Sequence, residues 1–159
     1  MKKLTLAAAM AGLFVAPALA DEVWSSDFGE IVYERDLANG MAVLSYPLEE
    51  YEDERGLVYV FGLAGQYEGR GRYDGIWIEP FEMSDRNLCE VAISNPENED
   101  PEYKWGRVEL IFANPDYPGT FVAQGADCFD TPIDVVIGYP LTGDPDKPEA
   151  MSDFIAKDE

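Results

Sequence analysis

"GEIVYERDLANGMAVLSYPL", residues 29–48, decides the fold class. Asn39-Gly40 stands between two runs of strand-forming residues and offers the two positive-φ positions that a two-residue type I′ turn needs. Such a turn sets Leu37 opposite Ala42, Arg35 opposite Leu44, Tyr33 opposite Tyr46 and Ile31 opposite Leu48. These residues share one face, apolar except at Arg35. Glu30, Glu34, Asp36 and Ser45 fall on the other face, so an antiparallel hairpin with one buried and one wet side is expected.

Working outward, the same period of two recurs. "LVYVFGLAG" from Leu57 is apolar on both alternating faces, the pattern of a strand covered on each side. "KWGRVELIFA" from Lys104 sends Val108, Leu110 and Phe112 one way and Trp105, Arg107 and Glu109 the other. "LCEVAIS" from Leu88 places Cys89, Val91 and Ile93 together. Shorter runs cover Thr120 to Gln124 and Ile133 to Tyr139, with turn signals at Asn95-Pro96, Asn114-Pro115 and Pro118-Gly119. About eight short strands at this spacing predict a single all-β domain over residues 21–142, an antiparallel sandwich or small barrel. Two segments read differently, as helix or as loose chain. "LEEYEDERG" from Leu48 is rich in helix formers and ends at Gly56, and the acidic tail 143–159 has the makings of a short helix after Pro148, with Met151, Phe154 and Ile155 on one side.

"GQYEGRGRYDGIWIEP", residues 65–80, looks at first like a glycine loop for phosphate. Asp74 stands where the third glycine of G-x-G-x-x-G belongs, and no helix follows to supply an anion-binding end. Alternation accounts for it better, as a long bent strand. Tyr67, Gly69, Gly71, Tyr73, Gly75 and Trp77 share one face, and the glycines leave room for the rings. Arg70 and Arg72 fall on the other face, expected to be exposed and compensated by Glu68 and Asp74. If the chain binds through this strand, Arg70, Arg72, Tyr73 and Trp77 are the candidate binding residues, the arginines for an anion or a partner carboxylate.

The chain starts "MKKLTLAAAMAGLFVAPALA", a basic head, an apolar middle and small residues before a cut, which reads as a signal peptide over residues 1–20. The mature protein is then exported, periplasmic or extracellular. There Cys89 and Cys128, the only two cysteines, are expected to form a disulfide. The net charge of −21 argues against nucleic acid as a partner; it reads first as a solubility feature and second as attraction for a basic protein. No later apolar run is long enough for a membrane helix, so no membrane insertion is expected.

The absence of histidine removes Ser-His-Asp and Cys-His catalysis and imidazole metal sites. The acidic runs "NPENEDPE" and "GDPD" do not follow a calcium-loop pattern. Neither a cofactor nor a metal is expected, and no catalytic residue is assigned. Three function classes remain, in this order: a binding or inhibitory module, a small-ligand carrier if the sheet closes around an apolar cavity, and a carboxylate-dependent hydrolase. A continuous apolar cavity inside the sheet is the observation that favours the carrier.

Overall fold

The computed structural model describes residues 22–48, 51–80 and 88–141. The expected leader with its cut before Asp21, and the expected tail helix in 143–159, lie outside the described residues. Ten strands run in chain order: β1 Val23–Ser26, β2 Gly29–Asp36, β3 Met41–Leu48, β4 Tyr51–Phe61, β5 Arg72–Ile78, β6 Ile93–Ser94, β7 Pro101–Glu102, β8 Trp105–Phe112, β9 Phe121–Asp127 and β10 Asp134–Pro140. Eight of them close an antiparallel barrel in the order β1-β10-β9-β8-β5-β4-β3-β2, while β6 and β7 form a separate two-stranded sheet. Closure removes the exposed edges that an open sheet must protect. The all-β expectation is met as a barrel. Among the described residues there is no helix, and so none long and apolar enough to cross a membrane.

The opening hairpin forms with a different turn. Gly40 N donates to Leu37 O at 3.0 Å and Leu37 N to Met41 O at 2.8 Å, so the loop holds three residues, Ala38, Asn39 and Gly40. Of the expected turn pair, only Gly40 takes a positive φ, +84°. Asn39 instead uses its side-chain oxygen to accept the Met41 N–H at 3.2 Å. The register shifts accordingly, with Asp36 opposite Ala42 and Arg35 opposite Val43. A bulge between Tyr33 and Arg35 then shifts it once more, setting Tyr33 opposite Leu44. Two single shifts restore the parity. Ile31, Tyr33, Ala42 and Leu44 therefore face inward as the pattern required, and Arg35 is turned out.

Three further expectations are corrected. Tyr51 to Arg55 belong to β4, not to a helix. Arg55 reaches across to Ser45 Oγ at 2.7 Å, Ser45 O at 3.0 Å and Glu30 O at 2.6 Å, tying the acidic run to β3 and β2. Residues 65–71 form a loop that folds over one barrel end, and the strand starts only at Arg72. Of "LCEVAIS", only Ile93 and Ser94 are strand; Val91 is exposed, because this segment crosses the outside of the barrel.

Two apolar cores result. The inner one fills the barrel with Trp24, Ile31, Leu44, Val60, Leu110, Phe112 and Phe121 among its members. The outer one lies on the barrel wall, where Val43, Tyr59, Ile78 and Trp105 are covered by Cys89 and Ile93. This explains why Leu57 to Val60 read as apolar on both faces. The Cys89–Cys128 disulfide pins that cover, and closing its loop of 39 residues is worth about 4 kcal/mol on the chain-entropy account. A formed disulfide is compatible with an oxidising, exported compartment. Glu97 completes the outer cover. It accepts from Arg35 at 2.5 Å and from the Tyr59 hydroxyl at 2.9 Å, and the Arg35 bond holds its carboxyl below the usual range.

Candidate functional site

The barrel has one plugged end and one open end. At the plugged end, the 62–71 loop carries Arg70 back beneath the barrel, where its guanidinium donates to both carboxylate oxygens of Glu22 at 2.7 Å. Both side chains are buried, at 0% and 4% exposure. Arg70 also donates to Gln66 O at 2.6 Å and stacks against Phe112, 4.9 Å from its ring centre, with Tyr67 and Tyr117 farther out. Trp24 seals the same region by donating its ring N–H to Gly119 O at 2.8 Å. The expectation of an exposed Arg70 is corrected: the loop, not a strand, sets its direction.

At the open end the barrel contains a cavity of about 260 Å³. Its deeper walls are Ile31, Leu44, Val58, Val108, Leu110, Phe121, Ala123 and Val136, all apolar. Tyr46 and Trp77 stand nearer the mouth, and Phe28, Glu79, Lys104, Asp127 and Asp134 line its opening.

Why this space is empty follows from three cross-strand pairs. Tyr46 lies opposite Gly56, Trp77 opposite Gly106 and Phe121 opposite Gly138. In each pair the ring lies so close over the glycine that an added Cβ would collide with it. The rings therefore lie along the barrel wall instead of projecting into the centre. Gly125, on the same inner surface, has nothing within 4 Å of where a Cβ would stand. A wall of flattened rings and one bare glycine leaves a central space.

The polar groups at the mouth are mutually engaged on one side only. The Tyr46 hydroxyl donates to Glu79 Oε1 at 3.0 Å, and burial, reinforced by this carboxylate, raises the phenol's pKa. Lys104 Nζ stands 3.9 Å from Glu79 Oε2 and 5.6 Å from the centre of the Trp77 ring. Its side chain is 10% exposed. Asp127 and Asp134, at the end of β9 and the start of β10, are exposed and have no cationic partner among the described residues.

Of the four candidate binding residues, only Trp77 lines the cavity. Tyr73 packs edge-on against Phe112, with ring centres 6.0 Å apart, toward the plugged end. Arg72 is on the outer wall, where it donates to Glu109 at 2.5 Å. Sequence reasoning passed over Tyr46, Phe121, Lys104, Glu79, Asp127 and Asp134. The available signal was the run Phe121, Ala123, Gly125, an inward face that loses bulk at each step. Among the described residues no group of three or more His, Cys, Asp or Glu is arranged to hold a metal ion. Comparison with family models, curated proteins and solved structures finds no match to the chain.

Proposed function

We propose that this protein is a small-ligand carrier that takes an apolar molecule into the open end of its barrel. The observation that carries the reading is the cavity of about 260 Å³, lined mostly by apolar side chains, at the open end of the barrel. A dry engineered cavity of about 150 Å³ is known to take up benzene, so this one suits a ligand with roughly twice that bulk. Binding needs no catalytic group and no metal, in keeping with a chain that lacks histidine.

Gly125 supplies the test. A Cβ at Gly125 would meet nothing within 4 Å, and a Gly125→Phe ring is expected to project into the cavity that this residue lines. Calorimetry with phenylbutanol, a neutral probe, is expected to show native protein binding with a dissociation constant at or below about 0.1 mM, near −5.5 kcal/mol. The heat-capacity change should be negative, as apolar burial requires. Gly125→Phe should remain folded and lose that binding. Unchanged uptake by the filled variant, or none by the native chain, defeats the carrier reading.

A second reading retains one observation. The outer surface of β10 exposes Val135, Ile137 and Tyr139, an apolar strip suited to contact with another protein. A binding or inhibitory module with a basic protein partner would use that strip. Gly125→Phe leaves this surface unaltered, so retained capture of a basic protein alongside lost probe uptake would assign the two roles to separate faces.

A further inference from the structure

We infer that the cavity selects ligands with a cationic head over those with an anionic one. This rests on the carrier reading and names the ligand class: a small apolar body ending in an ammonium group. The charges at the mouth carry it. Among the described residues Lys104 is the only cationic side chain lining the cavity, and it is already engaged by the Glu79 carboxylate and the Trp77 ring. An anionic head would have to draw the ammonium away from both. It would also sit beside Asp127 and Asp134, two carboxylates that no cation among the described residues offsets.

A cationic head meets the reverse situation. With its apolar body between Tyr46, Trp77 and Phe121, a ligand of this size ends at the opening, where Asp127 and Asp134 face solvent. The surrounding field has the same sign, since the whole chain carries −21. A low-dielectric cavity wall concentrates such a field at its mouth. Lys104 is held by Glu79 and Trp77, which leaves Asp127 and Asp134 for the ammonium of the ligand.

Three matched probes separate this inference from the reading beneath it: phenylbutylamine, phenylbutanol and phenylbutyrate, with the same body and heads of charge +1, 0 and −1. At low salt the amine is expected to bind about tenfold or more tighter than the butyrate, with the alcohol between. Raising salt from about 0.01 M to about 1 M cuts the screening length from about 30 Å to about 3 Å and should collapse the contrast. The double variant Asp127→Asn and Asp134→Asn should do the same, read as the ratio of amine to butyrate affinity. If that variant fails to fold, the salt series on the native chain decides. Equal affinity for all three probes, or the butyrate binding tightest, overturns the inference and leaves the carrier standing. No binding of any probe brings down the carrier reading, and the inference with it.

Discussion

The two ends of the barrel each hold a cation beside a carboxylate, and they use the pair in opposite ways. At the plugged end Arg70 meets Glu22 through two parallel bonds of 2.7 Å, sealed from water by Tyr67, Phe112 and Tyr117. At the open end Lys104 stands 3.9 Å from Glu79, whose side chain keeps 25% of its exposure. The planar fork of arginine suits a fixed, desolvated, two-point contact, whereas the ammonium of lysine is a hydrated point charge that tolerates a loose one. The difference teaches that pairing alone does not make a site. Where the geometry is complete the pair closes the fold, and where it is incomplete the surrounding charge is left available to something else.

The largest expected effect compares the ends through their phenols. Tyr33, near the plugged end, donates to Asp36, Tyr46 at the mouth donates to Glu79, and Tyr59 on the outer wall donates to Glu97. In all three, burial first and the carboxylate second raise the pKa above its ordinary value. The neutral phenols therefore stabilise the fold fully below the unfolded pKa of about 10, and this contribution is lost as pH rises toward their folded values. Each costs up to about 1.4 kcal/mol per pH unit above 10, so three together cost about 4 kcal/mol per unit. Near-ultraviolet absorbance during alkaline titration should show three late phenols that ionise only with unfolding. If the Tyr46 phenol ionises early, before the barrel unfolds, the mouth is wetter than its apolar walls indicate.

Next in size is the removal of one cation from each end. Arg70→Leu strands Glu22 without its partner in a dry site and should cost about 3 to 5 kcal/mol in denaturant unfolding. Lys104→Met leaves Glu79 with the Tyr46 hydroxyl and some water, and should cost about 1 kcal/mol or less. Comparable losses at the two ends would erase the distinction between plug and mouth. The smallest effect is expected on the outer wall, where Arg72 is 67% exposed beside Glu109. Arg72→Ala should change stability by no more than about 1 kcal/mol. A larger loss there would mean that the wall, as well as the plug, depends on ion pairing.

The periodic part of this architecture was legible in the sequence. Alternation alone placed Val108, Leu110 and Phe112 on one inner face, and the two-sided apolar run at Leu57 to Val60 correctly implied cover on both sides. The hairpin's inner face was also readable, although its register was not. Asn39-Gly40 serves equally well in a three-residue loop, and the compensating bulge depends on pairing that only the closed barrel imposes.

The plug and the cavity were beyond such reading because both arise between distant residues. Arg70 and Glu22 are 48 positions apart, and the local acids Glu68 and Asp74 offered a nearer, incorrect explanation of its charge. The glycines in 65–80 do not make room for rings: Gly65, Gly69 and Gly71 have nothing within 4 Å, and Gly75 lies against the Tyr59 backbone and Val108; the glycines that rings cover sit on other strands, Gly106 under Trp77 being one. Such pairs become visible only once cross-strand register is known.

The seam between β1 and β10 fixes how the molecule can be held. Trp24 pairs with Pro140, and Leu141 N donates to Val23 O at 2.8 Å, so the first and last described residues leave side by side from the plugged end. Glu22 and Leu141 therefore both lie on the side away from the cavity. A tether joined at Glu22 or Leu141, to a surface, a bead or another protein, would therefore hold the barrel by its plugged end. The same adjacency makes the barrel a ready subject for circular permutation, since a short bridge across the seam would join the old ends without touching the binding pocket.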